Sequence, residues 1–279
     1  MNGRPFFRVF GVGYLACASL WLLLGFLLVE GSAFAFDPFE FQVYGYDTVG
    51  RGHLSPQLLN SFVAQGSTMP GTGSSPTYPS NFMERTAIEL EVGLTDSIDF
   101  AYYLNLAKPD GMGMEYAGSK FRFRGKVAGE EDDLPLNIGW YAEVEWWSSR
   151  FNDDQLEIEV MPMFEKRLED WTIIINAPDI EKSVIGINRA EIFEIGYRGE
   201  VRYRLSDSLY LGLQTFGGLG QINNVTPLPM QQQYVVPVVH AILPGDVRST
   251  FGLAFGLTPG SDLLLLKANF TFDDEKQWD

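Results

Sequence analysis

Residues 119–127 read Ser-Lys-Phe-Arg-Phe-Arg-Gly-Lys-Val, which puts Lys120, Arg122, Arg124 and Lys126 on one side of an extended chain and Phe121, Phe123 and Val127 on the other. That spacing is period two, not 3.6. A soluble sheet can carry one such strand, but the same alternation recurs along this chain behind an apolar N-terminal segment. A barrel wall with lipid outside and a polar lumen inside accounts for both faces of every strand.

The N-terminal segment carries Arg4 and Arg8, an apolar run from about Phe10 to Val29, and then Gly-Ser-Ala-Phe-Ala. Ala33 and Ala35 fit a small-x-small cleavage site, so residues 1–35 read as a signal peptide and 36–279 as the exported domain. The competing reading is a retained anchor, because the run is long enough to span a bilayer. Cys17 stands near the start of the apolar run, not at its end, which argues against lipidation. Loss of Arg4, Arg8 and Glu30 takes the net charge from −16 to −17, which makes nucleic acid a poor partner. Cys17 is the single cysteine, so the exported domain has neither disulfides nor thiolate metal sites. No later apolar stretch reaches the length of a spanning helix, and membrane insertion must then be through strands.

Alternation and turn chemistry predict eleven strands from residue 86 onward. They are 86–94, 98–106, 119–127, 136–147, 156–166, 171–177, 192–205, 209–218, 233–243, 247–257 and 263–272. Their connections alternate in length. Short ones at 95–97, 130–135, 169–170, 206–208 and 244–246 separate longer ones near 107–118, 148–155, 178–190 and 219–232. This matches short periplasmic turns and longer external loops, with a tight external turn at 258–262 as the exception. An N-terminus on the periplasmic side requires one more strand, which gives a closed antiparallel barrel of about twelve.

Two segments compete for that first strand. Phe39–Tyr46 alternates Phe39, Phe41 and Val43 against Glu40, Gln42 and Tyr44. Residues 55–66 instead suggest a helix, with Ser55-Pro56 as a start, Leu58, Leu59, Phe62 and Val63 on one face and Gly66 as a stop. The expected order is strand, then a helix within a long loop at about 47–85. Pro162 and Pro237 interrupt predicted strands, and a closed wall calls for bulges there. Trp146 and Trp147 fall at one predicted rim, with Trp171, Tyr203, Phe270 and Phe272 towards the other, as membrane-interface aromatics do.

The phrases Glu-Leu-Glu-Val-Gly-Leu-Thr-Asp-Ser-Ile-Asp-Phe-Ala-Tyr-Tyr-Leu (89–104), Tyr116-Ala117-Gly118, Gln231–His240 and Gly256-Leu257-Thr258 through Phe272 resemble a group of bacterial outer-membrane barrels. These are distantly similar to transport proteins of the phenol-degradation MetA-pathway type. The resemblance implies an outer-membrane wall of a Gram-negative-type bacterium, assembled by the barrel-assembly machinery, and a small solute as partner. It implies no cofactor and no catalytic residue. Phe270 and Phe272 match a terminal assembly signal, although Asp-Asp-Glu-Lys-Gln-Trp-Asp follows them.

The inward charges are the candidate functional residues: basic Lys120, Arg122, Arg124 and Lys126, acidic Glu143, Glu145, Glu157 and Glu159, and mixed Glu194, Arg198, Glu200, Arg202 and Arg204. Cations on 119–127 are expected to face the acids on the two following strands. Such a network either braces a closed lumen or lines a pore. There is no Gly-x-Ser-x-Gly elbow and no His-x-x-x-His pair. A hydrolase with His240 as base, and copper on Met112, Met114, Met161 and Met163, are the weaker readings. The leading expectation is a non-enzymatic passage for small solutes, with a plugged structural barrel as the alternative.

Overall fold

In the computed structural model, alternation becomes wall on every strand. Residues 39–71, 77–190 and 193–272 are described, so the expected signal peptide at 1–35 lies outside the described residues. The wall strands are β1 (Leu54–Gln65), β2 (Glu84–Thr95), β3 (Ile98–Lys108), β4 (Glu115–Ala128), β5 (Asn137–Trp147), β6 (Asp154–Leu168), β7 (Trp171–Gly186), β8 (Glu194–Ser206) and β9 (Leu209–Gln221). After a two-residue rung, β10 (Asn224–Val225), which pairs with β9 alone, come β11 (Gln233–Leu243), β12 (Val247–Gly256) and β13 (Leu264–Phe272). Each wall strand pairs antiparallel with its neighbours, and β13 returns to β1 through partners such as Phe270 and Leu58. The result is a closed twelve-stranded barrel with no free edge.

The distribution of polarity is the reverse of a soluble core. On β4, Lys120 and Arg122 are 0% and 1% exposed while Phe121 and Phe123 are 40% and 41% exposed. Leu90, Ile158, Ile175, Leu213, Phe251 and Leu266 continue the outward apolar band around the wall. An apolar surface of this extent is suited to lipid. Turns of two or three residues join β2 to β3, β6 to β7, β8 to β9 and β11 to β12, and 129–136 joins β4 to β5. Longer connections lie at the other end, which is here termed the long-loop end.

Four expectations change. Residues 54–65 form β1, a wall strand within the stretch expected as a loop helix, while 39–46 lies inside the barrel without strand pairing. The physical reason is that Leu59 and Val63 face inward and are buried. With Leu58 and Phe62 facing outward, apolar residues fall at helical spacing on a strand. The strand starting at Trp171 runs on to Gly186, so the following connection is shorter than 178–190. Pro162 sits beside the expected bulge, a register shift between Val160 and Met163. Pro237 has none: pairing with β9 is continuous, and towards β12 two rungs between Val235 and Val238 are missing with equal residues on each side. Finally, Trp147 turns inward and is buried, leaving Trp146 at the rim.

Gly93 on β2 lets the N-terminal segment lie against the wall. A Cβ there would fall 2.0 Å from the Gly50 carbonyl oxygen and 2.4 Å from that of Val49. Backbone bonds join Gly52 N to Gly93 O at 2.8 Å and Gly93 N to His53 O at 3.1 Å. Gly93→Val is expected to cost about 1–3 kcal/mol by overpacking and to speed proteolysis at 49–53. Gly113→Ala, where a Cβ meets nothing within 4 Å, should leave the urea midpoint unchanged.

Candidate functional site

The interior is built around residues 39–49. Phe39 packs on Trp147 at the long-loop end of β5, with centroids 5.0 Å apart. At the other end, the Thr48 hydroxyl donates to the Asp96 carbonyl at 3.3 Å, in the β2–β3 turn. The segment therefore runs lengthwise through the lumen. Its backbone has no ladder, and at membrane depth such groups need other partners. Wall side chains supply them. Asn176 accepts from Tyr44 N at 2.8 Å and donates to Tyr44 O at 2.9 Å, Glu165 accepts from Tyr46 N at 3.0 Å, and Lys267 donates to Phe41 O.

Glu40 is the electrostatic centre of this segment. Its carboxylate lies 2.7 Å from Lys120 Nζ and 3.8 Å from Arg198, and it accepts from the Tyr44 hydroxyl. Burying a carboxylate is costly unless it is paired, and Lys120 and Arg198 supply the countercharge. The Tyr44 ring has the guanidiniums of Arg122, Arg124 and Arg198 at 5.3, 5.8 and 5.7 Å from its centre. Three cations thus share one aromatic face or edge.

The cations of β4 divide. Lys120 meets Glu143 at 3.1 Å and Glu145 at 3.8 Å on β5. Arg122 turns the other way, to Glu89 at 2.8 Å and Glu91 at 2.6 Å, and Arg124 pairs with Glu91 at 2.6 Å and Asp99 at 2.8 Å. The expectation that all four face the acids of β5 and β6 is therefore corrected: β2 and β3 offer carboxylates across the same wall. Lys126 lies 3.7 Å from Asp47 near the short turns. Glu159 pairs with Arg198 at 2.5 Å, and Arg198 also holds Asp179 at 2.9 Å. Glu157 accepts from Asn152 at 2.8 Å and shares a small recess with Asp154, Glu181 and Glu194. Glu200 bonds His240 at 2.5 Å and Gln214 at 3.0 Å. Arg202 is half-buried at the cavity described below, whereas Arg204 is exposed beside Asp170 at 3.3 Å, apart from the interior charges.

Glu143, Glu145 and Glu159 bring carboxylate oxygens within 4.8 Å of one another. Lys120 and Arg198 already stand against them, so side-chain cations supply the countercharge. Phe39 and Phe41 pack with Val63, Trp147, Phe216, Tyr234 and Leu265 into a buried apolar cluster that fills the long-loop half. In the half nearer the short turns, a cavity of about 160 Å³ remains between the segment and the wall. It is lined by Gln42, Tyr44, Arg124, Arg202, Arg248 and Lys267 among others. Sequence reasoning did not single out Glu40, Asn176, Arg248 or Lys267. Lys267 and Asn269, two apart in the otherwise apolar 263–270 run, were the available signal.

The barrel resembles solved outer-membrane channels. The KdgM porin, solved in complex with disordered oligogalacturonate, matches with a TM-score of 0.54 and 5% identity, over 79% of this chain and 99% of that one. The COG4313 outer membrane channel from Pseudomonas putida F1 matches with a TM-score of 0.53 and 13% identity, over 82% of this chain and 99% of that one. No protein-family profile matches the chain, and no curated protein sequence matches it. At these identities the likeness establishes the fold: a closed antiparallel barrel of the outer-membrane channel type.

Glu40→Gln removes a charge whose two cationic partners keep other carboxylates. The cost should therefore fall at about 1–3 kcal/mol, short of the roughly 3–5 kcal/mol for stranding a buried charge. Urea midpoints of the native protein and of Glu40→Gln at pH 7 measure that cost.

Proposed function

We propose that this chain is an outer-membrane passage for small polar solutes, held closed by residues 39–49, and that it performs no covalent chemistry. The observation that carries this is a segment without strand pairing, held inside the wall by side-chain hydrogen bonds, ion pairs and aromatic packing, with a polar cavity beside it. The polar half of the segment, at Gln42 and Asp47, is seated by contacts that can exchange with water. Residues 1–35 serve as the removable export signal in this reading, and Phe270 and Phe272 at the end of β13 as the handle for the barrel-assembly machinery.

The inward charges line the path in this proposal, with Arg204 at its margin. The likeness to solved channels supports the reading through the fold, and the phrases at 89–104 and 256–272 support kinship with transport barrels of the MetA-pathway type. Hydrolysis is the poorer account. Thr250 lies 2.9 Å from His240 Nδ1, and His240 Nε2 lies 2.5 Å from Glu200, in the order of nucleophile, base and acid. Yet β12 pairs on both sides at Thr250, with His240 and with Asn269. Its amides are spent on the ladder and do not form an oxyanion site.

A sealed structural barrel is the second reading, favoured by the apolar cluster at the long-loop end. Planar-bilayer recordings separate the two. The full-length protein should show small or rare conductance steps, and a variant lacking residues 39–50 should show severalfold larger and more persistent ones. Absence of steps from both forms, each folded and heat-modifiable, overturns the passage and leaves the sealed barrel.

A further inference from the structure

The charged groups around the cavity are already engaged. Glu91 meets Arg124 at 2.6 Å, Glu165 meets Arg167 at 2.7 Å, Arg167 also bonds Asp47, and Glu200 meets His240 at 2.5 Å. Lys267 donates to the Phe41 carbonyl and, at 2.8 Å, to Gln214 Oε1. Arg202 and Arg248 have partners as well. A charged solute would have to displace one of these partners and leave a buried charge unpaired.

The unmet groups are neutral. Gln42, on the segment, and Asn269, on β13, both line the cavity, and the amide oxygen of each has no hydrogen-bond partner among the described residues. Asn269 is 8% exposed. The NH2 groups of the two reach Gln57 Oε1 and the Glu40 carbonyl, each at 3.5 Å, beyond the usual range for such a bond. A buried amide oxygen left unmet costs free energy that a bound hydroxyl recovers. Neutral polar side chains continue from Asn269 along the wall. Thr250 pairs with Asn269 across β12 and β13, Thr271 follows two residues later on the same face of β13, and Gln57 pairs with Thr271 across to β1. All three line the cavity. Amides and threonine hydroxyls both donate and accept, so the row suits a partner whose groups do the same. Hydroxyls do so; carboxylates only accept and ammonium groups only donate. The cavity, at about 160 Å³, is roughly ten times the 10–15 Å³ that admits one water, which suits a compact molecule.

We infer that the cavity is a binding site for a small uncharged polyol, such as a sugar alcohol or a monosaccharide, held between Gln42 of the segment and Asn269, Thr250, Thr271 and Gln57 of the wall. One side of the site is the segment itself, so the site is complete only while residues 39–49 are seated. It deepens the reading of the barrel as a passage and rests on it for the solute's route inward. Binding can be measured without conductance.

Calorimetric titration of the full-length, heat-modifiable protein in zwitterionic micelles, which bring no sugar headgroup, compares sorbitol with hexane-1,6-diol, a six-carbon chain with six hydroxyls against one with two. Sorbitol should bind, and the diol should bind at least about tenfold more weakly. Gln42→Ala and Asn269→Ala should each weaken sorbitol about fivefold or more, while Asn223→Ala, an amide lost from the exposed β9–β10 turn, should not. A rise in sodium chloride from 20 to 500 mM should leave the affinity for sorbitol unchanged, since screening acts on charge. Should Asn269→Ala fail to fold, Gln42→Ala and the comparison of the two ligands in the native protein provide the same test. No binding of sorbitol, equal affinity for the diol, unchanged affinity in either cavity variant, equal loss in Asn223→Ala, or a severalfold loss in high salt overturns the site. Sorbitol binding to a full-length protein that shows no conductance, before or after removal of residues 39–50, keeps the site and overturns the passage.

Discussion

A segment without secondary structure lies inside a closed wall at membrane depth, and its backbone must find partners there. The ladder is the usual one in a barrel, and it does not serve Tyr44 or Phe41. Asn176 holds both polar groups of Tyr44, and Lys267 takes the Phe41 carbonyl. Asn176 can reach because it follows Ile174 on the inward face of β7, directly before the register shift between Asn176 and Asp179. Phe41 even adopts φ 42°, a costly conformation for a bulky residue. Its ring sits between Phe216 and Tyr234 at 5.3 and 5.2 Å, which offsets that cost.

The charge network follows from the same seating. Glu143 faces Glu159 across the sheet, and Glu145 faces Glu157, pairs that repel when left to themselves. Lys120 and Arg198 relieve them from the sides, and both also reach Glu40 of the segment. Buried ion pairs are weak evidence of net stability, since desolvation consumes much of their attraction. Their orientation is more informative: a segment shifted by one residue puts Phe39 or Phe41 where Glu40 stands. The pairs thus fix register more than they add stability.

The wall was legible in the sequence because lipid on one side and charge on the other force strict alternation, as on β4 and β5. Alternation failed where the segment changes what faces inward. Leu59 and Val63 point into the lumen because apolar neighbours await them there, Tyr103 near the first and Phe39 and Phe41 near the second, so β1 imitates a helix in its spacing. The pattern at 39–46 was real but described two sides of a lumenal segment, not two faces of a wall. Which acid each arginine meets was not legible, because a strand pattern specifies a face and leaves the choice between two neighbouring strands to side-chain reach. Arg122 could turn to β5 or across β3, and Glu89 and Glu91 decided it.

The two halves of the segment differ in what it costs to move them. Withdrawing Phe39 and Phe41 from their cluster exposes two aromatic side chains, at about 1.5–3 kcal/mol each. At about 1.4 kcal/mol per factor of ten, that alone restricts complete withdrawal to roughly one molecule in a hundred to one in ten thousand or fewer. Gln42 and Asp47, by contrast, border a cavity and bond through groups that water replaces well. Motion of the polar half against an anchored aromatic half is therefore the cheaper excursion, and it widens the cavity first on the side of the short turns.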